Sequence, residues 1–134
     1  MTFLVKPQLP SKTTHSGQEA GAAAILWIRS MIEPLYEFRD HRAVSGFLQA
    51  HPFLLPLLVD ARRKIAEYFE LPAMPILDVI SDPESEGDQE LFLLIPTYHS
   101  PEQVLRYLDR LDQEWWLDVL PQARGKMTID VEYL

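Results

Sequence analysis

Between Ser100 and Pro121 the chain carries one helix with both of its ends marked. Serine can cap the unpaired N–H groups of a first turn, Pro101 suits the first helical position, and Gln103 completes a capping box. Pro121 stops the run, because proline disfavours helical geometry in the residue before it. Val104, Leu108, Leu111, Trp115 and Val119 recur at three- and four-residue steps and form one apolar stripe. After a turn at Gly125, Met127, Ile129, Val131 and Tyr133 alternate with Thr128, Asp130 and Glu132, the period of a strand with one buried face. A striped helix followed by a half-buried strand needs a sheet on which both can pack. This half of the chain is therefore a layer of helix on sheet.

The segments upstream supply the rest of that sheet. Leu91-Phe92-Leu93-Leu94-Ile95 is apolar on both pleat faces, as a strand flanked on both sides is. Pro72 and Pro75 forbid a helix before Ile76-Leu77-Asp78-Val79-Ile80, which reads as a short strand, and Ser81–Glu90 reads as the connecting loop. Pro56–Phe69 is an amphipathic helix with Leu57, Leu58, Ala61, Ile65, Tyr68 and Phe69 on its inner side. Ala43–Ala50 reads as a short helical stretch, and Arg39-Asp40-His41-Arg42 as a charged connector. Ala22 to about Phe38 shows a helical period through Ile25, Ile28, Ile32 and Leu35, with Pro34 kinking or breaking it.

Residues 1–20 are full of breakers and read as a disordered tail, with Phe3-Leu4-Val5 left off the sheet. The expected fold is thus a single α+β domain over residues 21–134, in the order α-α-β-β-α-β. Its three-stranded, mainly antiparallel sheet is covered by helices. The last strand pairs either with the first, in order 2-1-3, or with the second through a right-handed parallel crossover.

A chain of 134 residues is the size of one domain with a core of its own. Having no cysteine, it has no disulfides, thiolate metal sites or cysteine nucleophiles. No apolar run is long enough for a membrane helix, and Ala20–Ile28 follows no basic leader, so the sequence predicts a cytoplasmic protein. Charge is unevenly placed. Residues 1–64 hold eight Lys/Arg against five Asp/Glu, whereas residues 65–134 hold four against fifteen, a balance of −11. Such a half repels phosphate backbones and favours a basic partner or plain solubility.

The run from His51-Pro52 through Tyr68-Phe69, then Asp82-Pro83-Glu84, Leu91-Phe92-Leu93, Leu108-Asp109 and Glu114-Trp115-Trp116-Leu117, resembles a family of small bacterial proteins. These share motifs of this kind and end in an alternating strand like Ile129–Tyr133. The resemblance covers roughly residues 48–134. It implies no established activity and no assigned catalytic residues, and for some members it implies pairing with the product of a neighbouring gene.

Two carboxylate groups are candidates for chemistry. Asp78, Asp82, Glu84, Glu86, Asp88 and Glu90 lie along one loop and its flanks, as ligands of a hard cation do. An EF-hand frame counted from Asp82 places Gly87 sixth but Leu93 twelfth, where glutamate is required, so a solvated loop is the favoured reading and no metal is expected. Asp78, Asp130 and Glu132 share the outer pleat parity of their strands. If the first and last strands are neighbours, these three converge and can serve acid–base or metal-assisted hydrolysis.

Trp115 and Trp116 point about 100° apart on an α-helix, so one enters the core while Trp116 falls at its border as a contact residue. His15, His41, His51 and His99 show no metal-binding spacing, although His99 with Tyr98 can face a cleft at a strand end. Arg62-Arg63-Lys64 occupies one helical turn, with Asp60–Lys64 and Arg63–Glu67 at ion-pair spacing. Nucleophile-elbow and phosphate-loop glycines are absent.

The sequence reading is an interaction or regulatory module rather than an enzyme, without a cofactor. Its contact residues are Trp116, Asp82, Glu84 and Glu86, and its partner is a basic protein or a second copy of itself. No nucleic acid and no membrane is expected as a partner. The rival is a metal-dependent hydrolase using Asp78, Asp130 and Glu132.

Overall fold

A computed structural model describes residues 17–84 and 88–134. The described residues form a mixed fold of helices against a four-stranded sheet, in strand order β1-β2-β3-β4. Helix α1 (Gly17–Trp27) continues through a wide turn at Ile28–Ile32, and β1 is the short strand Glu37–Phe38. Helices α2 (His41–Ala50) and α3 (Leu54–Tyr68) lead to β2 (Ile76–Ser81) and β3 (Gln89–Thr97). Helix α4 (Pro101–Leu111) continues through Asp112–Trp116 and Leu117–Val119 into a tight turn at Leu120–Ala123, ahead of β4 (Met127–Tyr133).

The α+β expectation holds at the level of class, but the sheet differs from the one expected. It is mixed: β1 runs parallel to β2, β2 antiparallel to β3, and β3 parallel to β4. Each parallel pair needs a long crossover, which α2 with α3 supplies on one side and α4 on the other. The last strand takes the second of the two expected positions, beside β3. The fourth strand arises where a helix was expected. Pro34 ends the first helical run, and Glu37 and Arg39 then donate backbone N–H groups to Pro75 and Leu77 of the β2 segment. Asp40 accepts from the Ala43 N–H as cap of α2, so the segment expected to be a connector starts a helix. At the N-terminal side, Gly17–Ala20 belong to α1 rather than to a tail, and residues 1–16 lie outside the described residues.

Register sorts each strand into two faces. Leu77, Leu91, Leu93, Ile95 and Met127 enter one core with Val44, Phe47, Leu48, Leu58, Ile65 and Leu111 of the helices, and Val79, Ile129 and Val131 pack against it. Leu77, Leu91, Leu93 and Ile95 are fully buried, each contributing roughly 1.5–3 kcal/mol on the usual transfer scale. The alternate residues face the other way, and none of them belongs to this core. Pro96 sits in central β3 without costing a ladder bond. Leu91 donates toward β4 and Thr97 accepts from it, so position 96 points toward β2, beyond the last paired residue, Ile76.

The capping box at Ser100 and Gln103 forms as its sequence predicts. Beyond Leu111 the helix departs from regular geometry: the Leu117 N–H reaches back to the Asp112 carbonyl, five residues away. The expectation that Trp116 lies outside the core is corrected here. An i→i+5 turn advances less per residue than an α-helix, so consecutive side chains stay nearer one face, and Trp115 and Trp116 are only 9% and 7% exposed. Arg124 and Gly125, both at positive φ, turn the chain into β4.

Candidate functional site

The outer sheet face carries four parallel rows fixed by register. Ile80 lies beside Glu90; Asp78 beside Phe92 and Thr128; Ile76 beside Leu94 and Asp130; and Pro96 beside Glu132. Phe92 and Leu94 are half-buried and Ile80 is exposed. A strip of apolar side chains therefore runs down the middle of this face, bordered by carboxylates.

Arg39 organises two of those carboxylates. It follows β1 at one edge of the sheet, and its Nη2 donates to Glu132 Oε1 at 2.6 Å, while Nη1 lies 3.6 Å from Asp78 Oδ2. The hydrogen bond to Glu132, with the charges of both carboxylates, pushes the Arg39 pKa up from its ordinary value. The outer face is thus strapped from the first strand to the last by one guanidinium.

Asp130 is engaged elsewhere. Even-numbered residues of β4 face β3, since Lys126 and Leu134 both bond across to it, so Val131 points its N–H to the other side. Asp130 Oδ1 accepts that N–H at 2.8 Å. A carboxylate in this position satisfies a strand-edge donor that another strand could otherwise claim.

The supposed trio of Asp78, Asp130 and Glu132 is therefore not brought together as a trio. It depended on β2 and β4 being neighbours, and β3 lies between them. Asp78 and Glu132 converge on Arg39 and Asp130 does not. Among the described residues no group of three His, Asp or Glu side chains stands close enough to hold a metal ion.

At the end of the face where β2 and β3 join, Asp82, Asp88, Glu90, Phe92 and Lys126 line a cavity of about 400 Å³. Asp82 Oδ1 accepts the Glu84 N–H at 2.9 Å, and the Asp82 N–H donates to the Asp88 carbonyl at 3.0 Å, so Asp82 holds the turn and Glu84 stays exposed beside it. Glu86, the remaining contact residue expected from sequence, lies outside the described residues. Glu90 accepts the Thr128 hydroxyl at 2.7 Å, joining the cavity to the outer face. His99 does line a shallow cleft of about 240 Å³ with Tyr98, Glu70, Leu71 and Pro72, and its ring meets Tyr107 edge-on.

Sequence reasoning overlooked Arg39 as a site residue. The available signal was Pro34 followed by Tyr36-Glu37-Phe38, whose alternation is that of a strand and places Arg39 on the same face as Glu37. The ion pairs on α3 also differ from the expected ones: they are Asp60–Arg63 at 3.9 Å and Lys64–Glu67 at 3.5 Å, both three residues apart rather than four.

Comparison of the chain with protein-family models, with curated proteins and with solved structures found no match. No single helix is long and apolar enough to cross a membrane among the described residues.

Proposed function

We propose that this protein is a binding module whose outer sheet face takes a basic partner protein. The carrying observation is the strip of Ile80, Phe92 and Leu94 lying open between Glu37, Asp78, Glu90, Asp130 and Glu132, with Arg39 and Lys126 as the cations on the same pleat face. An apolar centre within a charged rim is the usual build of a protein interface. The sign of the rim selects the partner. A second copy placed face to face brings carboxylate onto carboxylate, which is repulsive, whereas a partner rich in Lys and Arg gains on every border contact. Trp116, being buried, acts in this reading by stiffening α4 and not by touching the partner.

The experiment compares what the protein retains from a lysate of its native host with what a Phe92→Glu variant retains. A Leu105→Glu variant serves as control, since that side chain is 68% exposed on α4. The expected result is a stoichiometric protein of net positive charge that is released by high salt, lost with Phe92→Glu and kept with Leu105→Glu. A retained set indifferent to Phe92→Glu removes the reading. A concentration-dependent dimer that Phe92→Glu abolishes replaces the basic partner with a second copy of the chain.

A further inference from the structure

The bridge that Arg39 makes to Glu132 crosses the face on which a partner is proposed to lie. By strand order, a contact between the β1 edge and β4 passes over β2 and β3. A partner seated on Phe92 and Leu94 therefore meets Arg39 on its way in. The bridge is also easy to exchange. Its three side chains, Arg39, Asp78 and Glu132, are 43%, 22% and 32% exposed, and ion pairs this open to water hold weakly. Their arrangement selects the cation that can replace Arg39. One guanidinium serves both acceptors, Nη2 at 2.6 Å from Glu132 and Nη1 at 3.6 Å from Asp78. A planar fork presents donors to two carboxylates at once, whereas a lysine ammonium is a single point of charge.

We infer that the partner contributes an arginine that takes Asp78 and Glu132 over from Arg39. This rests on the outer-face reading above and adds to it the recognition group and the step that opens the face. Arg39 is then a resident stand-in, holding two carboxylates in place for the incoming guanidinium. Its own charge is not stranded by the exchange. Glu37 lies two residues back on the same pleat face, exposed and without an ion pair among the described residues, and receives the released side chain.

The test is titration of the ¹⁵N-labelled full chain with hexa-arginine and with hexa-lysine, followed by NMR. Hexa-arginine is expected to shift the Phe92, Leu94 and Thr128 amides. The Arg39 Nε–H signal moves with the same saturation curve toward the position of a solvated arginine. Hexa-lysine binds at least threefold more weakly and leaves that signal in place. Arg39→Met removes the competitor and tightens hexa-arginine about two- to fivefold, the worth of an exposed ion pair. Lys126→Met, which takes an equal charge from the same face, gains less. Outer-face shifts with a stationary Arg39 signal, equal affinity for the two peptides, or equal gains from Arg39→Met and Lys126→Met each overturn the inference and leave the outer-face reading standing. Absence of outer-face shifts with millimolar hexa-arginine also overturns it, while the Phe92→Glu comparison above decides the outer-face reading on its own.

Discussion

Arg39 and Glu132 stand 93 residues apart in the chain and 2.6 Å apart in space, joining the strand at one edge of the sheet to the strand at the other. Both side chains keep substantial solvent contact, at 43% and 32% exposure, so the pair carries the modest energy of a surface ion pair. A double-mutant cycle with Arg39→Met and Glu132→Gln in urea denaturation is expected to give a coupling of about 0.5–1 kcal/mol. The coupling shrinks as salt rises toward molar concentration. A coupling that ignores salt contradicts the exposed geometry.

The buried tryptophan pair makes opposite forecasts for adjacent residues. Trp116→Ala removes a core side chain and is expected to cost about 3–5 kcal/mol. Leu117→Ala, at a position 56% exposed, stays within about 0.5 kcal/mol of the native protein. Chemical denaturation of both variants, followed by circular dichroism, separates the buried from the border placement.

Tyr36 is buried, and its hydroxyl donates to the Leu58 carbonyl at 2.6 Å. Burial pushes its phenol pKa far above the ordinary range, with Arg62 opposing weakly. A folded-state pKa raised above the unfolded one stabilises fully below the unfolded value, and that stability is lost as pH climbs above it. Stability should thus fall from about pH 10 upward by about 1.4 kcal/mol per pH unit for this group. Tyr36→Phe is expected to lose about 1 kcal/mol at neutral pH and to show a shallower alkaline decline. Parallel alkaline slopes in the two proteins rule out Tyr36 as the source.

Asp112 gives a pH dependence at the other end of the scale. Partial burial raises its carboxyl pKa, and neighbouring Asp109 adds to the effect. The fold therefore prefers the protonated acid; that preference is intact below the unfolded carboxyl range and is lost as pH rises through the raised value. Asp112→Asn is expected to melt higher than the native protein at pH 7, with the difference vanishing near pH 3. Melting curves at both pH values decide it.

Asp130 guards the β4 edge through the Val131 N–H. Asp130→Ala frees that donor and is expected to bring concentration-dependent association in light scattering. Asp130→Asn loses the charge but keeps an oxygen acceptor, and should remain as dispersed as the native protein. Association of both variants alike assigns the effect to charge instead.

Local patterns made parts of this fold legible. Ser100, Pro101 and Gln103 set the start of α4 because capping depends on residues within one turn of each other. The alternation marked Met127, Ile129 and Val131 as the side chains of β4 that pack toward the helices, since a strand turns its side chains over at every residue, whereas Tyr133 at the strand's end stays 52% exposed. The same alternation told nothing of which strand would lie beside it. Asp78, Asp130 and Glu132 share one face, but whether their strands are neighbours stayed open for this reason: a period of two encodes a face and not a partner.

The chain by itself determined the capped start of α4, the strand parity of its buried side chains and its acidic second half, all of which follow from near neighbours or from simple counting. Tertiary structure alone decided that Glu37 and Phe38 become a fourth strand and that Arg39 spans the outer face to reach Glu132. Those outcomes rest on contacts between segments distant in sequence. Such contacts are set by which surfaces must leave water together, and no window of local residues contains that information.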